Sequence, residues 1–290
     1  MIFDPGISTF LQNLIPWANL FFRLMTELGS ETFYVSVILI AYWAFRKKEA
    51  IAAAILLLLT YLSNYWLKYV IANPRPPTSV WVEGVEATNY STPSGHAQLA
   101  ATLYGWLDLK VRKWWMVVLS IVIVTLIGIS RVYLGVHYLG DVLLGWAIGI
   151  LTVILYYCLE GSLERAQERL RGEYLYFILF LVGFMGLLIS LALPSPPRDN
   201  FGSYAGLLMG LAVAFPLEQR FVGFETNLFP VPKWKLVLRV AFGILLVLGV
   251  MLGLSPFLPT EDIILRALRY FLVALIGAFL WPLIFTKAKI

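Results

Sequence analysis

The sequence predicts an all-α fold, a polytopic bundle of transmembrane helices. Hydrophobic residues make up 60% of its 290 positions, and charged residues make up 13%. A soluble domain of this length could not bury so much apolar surface. The apolar residues form long runs between short charged or proline-rich joints, without the alternating pattern of membrane barrels. The chain is therefore predicted to be an α-helical integral membrane protein.

The first apolar segment, residues 7–28, is interrupted by polar residues and is predicted to be amphipathic, so that it either lies along the interface or spans imperfectly. The later runs are cleaner, and several have only about 16 to 18 residues, near the lower limit for crossing roughly 30 Å of hydrocarbon. They predict about nine spans, or ten with the first segment. The runs are 31–45, 49–72, 94–109, 114–131, 138–159, 173–193, 201–217, 234–254 and 262–285.

The distribution of basic residues predicts the orientation of these spans. Most of the 22 Lys and Arg residues fall at alternate joints, around 46–48, 110–113, 165–171, 220–239 and the tail at 287–289. The positive-inside rule places these joints and the C-terminus in the cytoplasm. The net charge of +5 follows the loops and gives no support for a nucleic-acid partner. The predicted location is a cell membrane, or an organelle membrane with a luminal site in a eukaryote.

A charged stretch near residues 160–173 divides the chain into two parts. We predict a core at residues 1–160 and an additional transmembrane bundle of unknown role at residues 161–290. Cys158 is the only cysteine, which excludes a disulfide within the chain. The sequence indicates neither an oligomeric state nor a cleavable signal peptide at its start.

Residues 130–141 contain the strongest candidate for chemistry. Within them, His137 and Asp141 are four residues apart, so on a helix they would share one face. A carboxylate that accepts from one ring nitrogen fixes the imidazole tautomer and leaves a lone pair on the other nitrogen. Such an imidazole can serve as a nucleophile or a general base.

Other ionisable residues converge on the same membrane face when the spans are counted. Lys68 and Arg75 lie at the end of one run, His96 lies near the start of the next, and Arg131 lies near the end of a later run. Three cations match the charge of a phosphate dianion and of its transition state. Gly95 follows Ser94 at a predicted helix start, where a ligand can approach free backbone amides.

Each of these signals has a plainer interpretation. A single His at a span boundary is more often a hydrogen-bonded interfacial residue, and basic residues at span ends usually extend toward lipid head groups. The interpretation as a site depends on their joint occurrence, since ionisable residues in membrane spans are costly and often functional.

Three motifs in this cluster resemble the signature of the type-2 phosphatidic-acid phosphatase superfamily. They are Lys-x6-Arg-Pro at 68–76, Pro-Ser-Gly-His at 93–96, and Ser-Arg-x5-His-x3-Asp at 130–141. The resemblance covers about residues 1–160, which would correspond to the six-helix core of that family if the amphipathic start is its first helix. About four C-terminal spans exceed that core and resemble the sphingosine-phosphate phosphatase branch.

The resemblance implies a role for each residue of the cluster. His137 would attack phosphorus and become a phosphohistidine, Asp141 would orient it, and His96 would protonate the leaving oxygen. The phosphoryl oxygens would be held by Lys68, Arg75, Ser94, Gly95 and Arg131. No metal or cofactor is expected, because fixed cations would supply the charge and no carboxylate cage accompanies the histidines.

The expected function is hydrolysis of a lipid phosphate or diphosphate at the outer leaflet, with membrane lipids as surroundings. Two alternatives use the same residues. One is a phosphatase for a soluble ester, similar to glucose-6-phosphatase. The other is a lipid or phosphate transporter whose cluster binds phosphate without hydrolysing it.

Overall fold

The structure, a computed structural model, describes residues 2–169, 172–192, 201–226, 232–258 and 262–290. Within these ranges the chain is helical and contains no strand, as predicted. The helices are α1 (Gly6–Leu14), α2 (Asn19–Glu27), α3 (Glu31–Ile40), α4 (Lys47–Ile71), α5 (Gly95–Val111), α6 (Trp114–Tyr133), α7 (Leu139–Arg169), α8 (Gly172–Ala192), α9 (Phe201–Phe221), α10 (Lys233–Gly253), α11 (Ile263–Leu275) and α12 (Trp281–Lys287).

The number of spans is lower than the apolar runs predicted. Among the described residues, 7 helices are long and apolar enough to cross a membrane, or up to 8 when a bent pair is counted as one span. The run at 94–109 forms α5, which has only 17 residues. The run at 31–45 belongs to the bent pair, Pro16–Glu27 with Glu31–Phe45. The helix axis bends by 46° at the break between them. These two runs account for the lower number of spans, because hydropathy reports neither where a helix ends nor where it bends.

The N-terminal segment is two short helices. Helices α1 and α2 have 9 residues each and are separated by a 3₁₀ turn at Pro16–Ala18. Nine residues rise only about 14 Å, so α1 alone is too short to cross a bilayer. Two of its apolar side chains are exposed, Phe10 at 62% and Leu14 at 61% accessible, while Ile7 and Leu11 pack on the core of the first unit. An amphipathic helix with such a face suits the membrane interface.

The described residues form two compact units. The first contains Met1–Tyr34 and Leu59–Gly161, and the second contains Val35–Leu58 and Ser162–Ile290. The candidate cluster lies in the first unit. The functional division at residue 160 stays a prediction.

Close packing of α5 against α7 positions the cluster in the first unit. A Cβ on Gly145 would lie 2.7 Å from the carbonyl oxygen of Ser94, and one on Gly149 would lie 2.5 Å from that of Gln98. Because real Cβ atoms do not approach so closely, glycine at both positions lets the two helix backbones meet. The starts of α5 and α7, which carry the Ser94–His96 turn and Asp141, are thereby brought together.

The second unit has its own apolar core around Trp43, which is fully buried. Trp43 donates its indole N–H to the carbonyl oxygen of Gly277 over 2.8 Å, and Tyr42 donates its hydroxyl to that of Ala278 over 2.8 Å. Arg239 donates to the carbonyl oxygen of Trp43 over 2.9 Å. These bonds join residues 35–58 to α10 and α11–α12 within the unit.

Candidate active site

The site is built around His137 and Asp141, which are both buried. His137 Nδ1 lies 3.2 Å from Asp141 Oδ2. His137 precedes α7, which begins at Leu139, so the pair does not share a helix face as the sequence spacing suggested. The contact forms because Asp141 lies in the first turn of α7 and its carboxylate reaches back toward the preceding residues. There it also accepts the backbone N–H of Tyr138 over 2.8 Å.

Two hydroxyl groups complete the surroundings of the carboxylate. Ser91 donates to Asp141 Oδ2, and Thr92 donates to Asp141 Oδ1. Ser91 Oγ also lies 3.3 Å from His137 Nδ1. The two hydroxyls and the Tyr138 N–H all donate to the carboxylate, so its oxygens act as hydrogen-bond acceptors. Since Nδ1 faces the carboxylate, it carries the ring proton, and Nε2 is left with its lone pair.

The turn that presents His137 depends on Gly135. This glycine has a φ of +78°, in the left-handed region that favours glycine. A Cβ at this position would lie 2.1 Å from the carbonyl oxygen of Val80. The loop around Val80 therefore packs directly on the turn at Gly135, which follows α6. This contact fixes the path of the backbone just before His137.

Arg75 lies next to the free nitrogen of His137. Its Nη1 is 3.3 Å from His137 Nε2 and donates to the carbonyl oxygen of Val136 over 2.8 Å. Its other nitrogens donate to loop oxygens of Thr88 and Asn89 at 2.7 to 3.1 Å. Burial lowers the pKa of Arg75 to about 10, so its guanidinium stays charged at neutral pH. The loop thus holds a cation against the lone pair of the imidazole.

The other two predicted cations are buried nearby. Lys68, at the end of α4, donates to the carbonyl oxygens of Tyr90 and Ser91 over 2.5 and 3.1 Å. Arg131, near the end of α6, donates from Nη1 to the hydroxyl of Thr26 over 2.7 Å, while its buried Nε has no hydrogen-bond partner among the described residues. None of these contacts is to a carboxylate. Their partners are neutral oxygens, so a bound anion would not have to displace a carboxylate from these hydrogen bonds.

The second motif forms the start of α5. The N–H of Ser94 donates to the carbonyl oxygen of Asp141 over 3.0 Å, while its buried Oγ has no hydrogen-bond partner in the part of the chain that the structure describes. Gly95 begins the helix and is followed by His96. His96 packs against the joint between α2 and α3, where a Cβ on Gly29 would lie 3.2 Å from His96 Cδ2. An unpaired hydroxyl beside a helix start is suited to an anionic ligand.

The electrostatics of the cluster keep His137 neutral. Burial, and next the positive charges of the three surrounding cations, hold the pKa of His137 well below its ordinary range. His96 lies within electrostatic range of the same cations and of His137. The structure thus brings all eight predicted site residues into one region. It offers an unprotonated imidazole nitrogen in a positively charged site.

Sequence reasoning did not find several polar residues that support this region. Ser91 and Thr92 contact the His137–Asp141 pair, and Thr26 holds Arg131. Behind the second motif, Asn64 donates to Gln98 Oε1 over 2.8 Å and approaches the carbonyl oxygen of Pro93 at 3.4 Å. A buried amide inside an apolar run, as at these two positions, is a signal that could have been read. Ser91, Thr92 and Thr26 gave no such signal in the sequence, because Ser and Thr are common in loops and at helix ends.

No group of three or more His, Cys, Asp or Glu side chains with metal-binding geometry occurs among the described residues. The positive charge of the site comes from the protein's own side chains.

The fold and the site define an integral-membrane protein that holds a neutral imidazole beside three cationic side chains. Two family models match the chain. The "PAP2 superfamily" model matches residues 48–164, which contain all eight site residues. The model for the "PAP2 superfamily phosphatase, transmembrane extension" matches residues 202–290, within the C-terminal part that the motifs left unexplained.

Individual relatives agree with the family models. Phosphatidylglycerophosphatase B of Bacillus subtilis (strain 168) is 31% identical over 170 residues, which are 53% of this chain and 81% of that protein. Sphingosine-1-phosphate phosphatase 1 of Mus musculus is 27% identical over 258 residues, 79% of this chain and 58% of that protein. The crystal structure of a transmembrane PAP2-type phosphatidylglycerolphosphate phosphatase from Bacillus subtilis matches at 30% identity, with a TM-score of 0.48, over 55% of this chain and 85% of that one.

The chain therefore belongs to the PAP2 superfamily and is a multi-pass membrane phosphate hydrolase. The predicted family and enzyme class are confirmed.

Proposed function

We propose that this protein is a metal-independent phosphatase that hydrolyses a lipid phosphate or diphosphate through a phosphohistidine at His137. The observation that carries the proposal is the His137 geometry. Nδ1 faces Asp141 at 3.2 Å, and Nε2 is directed to Arg75, where a bound phosphoryl group would meet it. A buried neutral imidazole with one nitrogen held in this way is a prepared nucleophile.

In the proposed reaction, Nε2 of His137 attacks phosphorus, and the bond from phosphorus to the ester oxygen breaks. His96, which carries its extra proton as an imidazolium when the negative charge of the bound substrate offsets the surrounding cations, gives that proton to the ester oxygen, and the alcohol leaves. Water then attacks the phosphohistidine, the N–P bond breaks, and phosphate is released as the water proton passes to His96. The imidazole of His137 returns to its neutral form, so protons and charge balance over the cycle.

The cations are proposed to hold the phosphoryl oxygens. Arg75 lies beside the nucleophilic nitrogen, and Lys68 and Arg131 are buried without a carboxylate partner among their hydrogen bonds. Ser94 Oγ and the Gly95 amide add donors at the start of α5. Phosphoryl transfer mainly needs positioning and stabilisation of charge, and fixed donors supply both.

The placement of the site supports a lipid substrate at the outer face. Helix α5 begins in the site at Gly95 and ends beside the basic joint at 110–113, and the positive-inside rule puts that joint in the cytoplasm. A phosphate site at helix ends lets a lipid keep its tail in hydrocarbon while its head group reaches the cations. Relatives named for phosphatidylglycerophosphate and sphingosine 1-phosphate support a lipid phosphate.

The test is release of phosphate by purified protein from lipid phosphates, a lipid diphosphate and glucose 6-phosphate, each with and without EDTA. We expect hydrolysis of at least one lipid substrate, unchanged by chelation and inhibited by vanadate, which adopts the five-coordinate geometry of the transition state. Activity on the sugar phosphate alone would favour a soluble-ester phosphatase. Binding of phosphate without turnover would favour a transporter, and loss of activity with EDTA that Mg²⁺ restores would contradict the chemistry.

We expect His137→Ala and His96→Ala to differ in kind. The first removes the nucleophile, so that no phosphoenzyme forms. The second slows departure of the leaving group, and it should do less harm with p-nitrophenyl phosphate, whose leaving group is already acidic. Acid-quenched trapping of the phosphoenzyme and steady-state kinetics on both substrates measure these effects. Near-normal turnover by His137→Ala would disprove the mechanism.

A further inference from the structure

The loop between α4 and α5 contacts the His137–Asp141 pair through two adjacent hydroxyl residues, Ser91 and Thr92. Both residues are buried, with Ser91 0% and Thr92 3% accessible. Each hydroxyl donates to a different oxygen of Asp141. The carboxylate is thus held at both ends by one short segment of another part of the chain.

Hydrogen bonds continue from these hydroxyls into the rest of the loop. Thr92 Oγ1 accepts from Asn73 Nδ2 over 2.8 Å, and the N–H of Ser91 donates to the carbonyl oxygen of Asn73 over 2.8 Å. The carbonyl oxygen of Ser91 accepts from Lys68 Nζ over 3.1 Å. Asn73 lies two residues before Arg75. Ser91 and Thr92 therefore bond the Asp141 carboxylate and also hold the loop in place. That loop carries Arg75 and contacts Lys68.

We infer that Ser91 and Thr92 are positioning residues that clamp the Asp141 carboxylate in the plane and at the distance that holds His137 in its Nδ1–H tautomer. The inference rests on the proposed role of His137 as the nucleophile. Thr92 is the donor found on Oδ1, while Oδ2 is shared by Ser91, the Tyr138 N–H and His137.

The physical reason is the freedom that a carboxylate otherwise has. A carboxylate on two rotatable bonds can turn either oxygen toward an imidazole, and the imidazole can turn its ring in response. Donors on both oxygens remove this freedom before substrate binds. Partners that orient the histidine ligands of metal ions typically change affinity or activity by about 10- to 100-fold when they are altered, and we expect the same scale for an oriented nucleophile.

The first experiment compares Thr92→Val, Thr92→Ser and Ser91→Ala with Thr102→Val as a matched control. Thr102 is also fully buried in the same unit, but its hydroxyl donates to the carbonyl oxygen of Gln98 in its own helix and, among the described residues, has no bond to the His137–Asp141 pair. We expect Thr92→Val and Ser91→Ala to lower kcat on p-nitrophenyl phosphate by about 10- to 100-fold, with KM changed less than about threefold. Thr92→Ser and Thr102→Val should stay within about threefold of the unchanged protein.

The second experiment reads the imidazole itself and does not need activity. Because the chain has only two histidines, ¹⁵N-histidine NMR with His96→Gln for assignment isolates the His137 signals. We expect pyrrole-type Nδ1 and pyridine-type Nε2 in the unchanged protein. The double variant Ser91→Ala/Thr92→Val and the positive control Asp141→Asn should show a mixture of tautomers.

The outcomes separate the clamp from the proposed function. Normal kcat and an unchanged tautomer in the double variant would overturn the clamp. A loss of thermal stability with equal changes in kcat and KM, not restored by Thr92→Ser, would assign the hydroxyls a purely structural role and would also overturn it. If the unchanged protein hydrolyses neither lipid nor aryl phosphates while the tautomer still responds to the variants, the proposed function fails and the clamp stands.

Discussion

At the scale of single residues, the site depends on charges that are kept unpaired. Arg131 shows this clearly, because it is buried, donates to a neutral hydroxyl of Thr26 and has no hydrogen-bond partner for its Nε within the described ranges. An uncompensated buried charge is costly to a fold, and proteins retain such charges where function uses them. An anion bound in the proposed site would offset this cost.

This arrangement predicts that Arg131→Lys impairs catalysis although it keeps the charge. The planar fork would be lost, and Lys cannot bond Thr26 and a phosphoryl oxygen in the same geometry. We expect kcat to fall by roughly tenfold to a thousandfold. Steady-state kinetics in one detergent measures the effect, and Arg112→Lys, at an exposed residue near the other end of α5, is the control. A change in KM alone would make Arg131 a substrate anchor without a role specific to the transition state.

The lowered pKa of His137 predicts a pH dependence of stability. A histidine pKa that is lower in the folded state than in the unfolded state stabilises the fold above the unfolded value of about 6.5, and this stability is lost as the pH falls below it. We expect the Tm to decrease between pH 7.5 and pH 5, and to decrease less in His137→Gln. Thermal melts across that range measure both slopes. Equal slopes would show that His137 is not the titrating group.

At the scale of elements, the site forms where helix starts meet. The α5–α7 contact through Gly145 and Gly149 brings Ser94 against Asp141, so the second and third motifs share one point. Small residues that allow close backbone approach are a common basis of helix packing in membranes. The packing of these helices is therefore expected to affect both stability and activity.

We predict that Gly149→Ala destabilises the protein. The new Cβ would lie 2.5 Å from the carbonyl oxygen of Gln98, so the helices must separate. Overpacking costs about 1 to 3 kcal/mol, which outweighs the gain of about 1 kcal/mol in helix propensity. Gly249→Ala in α10 is the matched control, because a Cβ there meets nothing within 4 Å. Thermal melts should show a lower Tm for the first variant only, and equal Tm values would refute the packing argument.

At the scale of the whole molecule, the open question is which side of the membrane the site faces. We expect Ser79→Cys, in the loop near the site, to react with a membrane-impermeant maleimide added outside intact cells. Lys113→Cys, at the basic joint after α5, should react only after permeabilisation. Both positions are exposed, and Cys158→Ser provides the cysteine-free background. The reverse labelling pattern would place the site in the cytoplasm.

The sequence by itself was sufficient for the membrane class and the family, and for predicting the eight candidate residues that the structure brings into one region. Composition shows the first, because apolar runs of this length have no other stable environment. The motifs show the others, since ionisable residues in apolar runs are few and their spacing is distinctive. Lys68, Arg75, Arg131 and the two histidines could be found for this reason alone.

Only the tertiary structure decided how these residues are held. It placed His137 before α7 instead of on it, ended α5 after 17 residues, and grouped residues 35–58 with the second compact unit. It also brought Ser91 and Thr92 onto Asp141, about 50 residues away in sequence. The physical reason is that hydrogen bonds and close glycine contacts depend on distance in space, which hydropathy and local spacing do not encode.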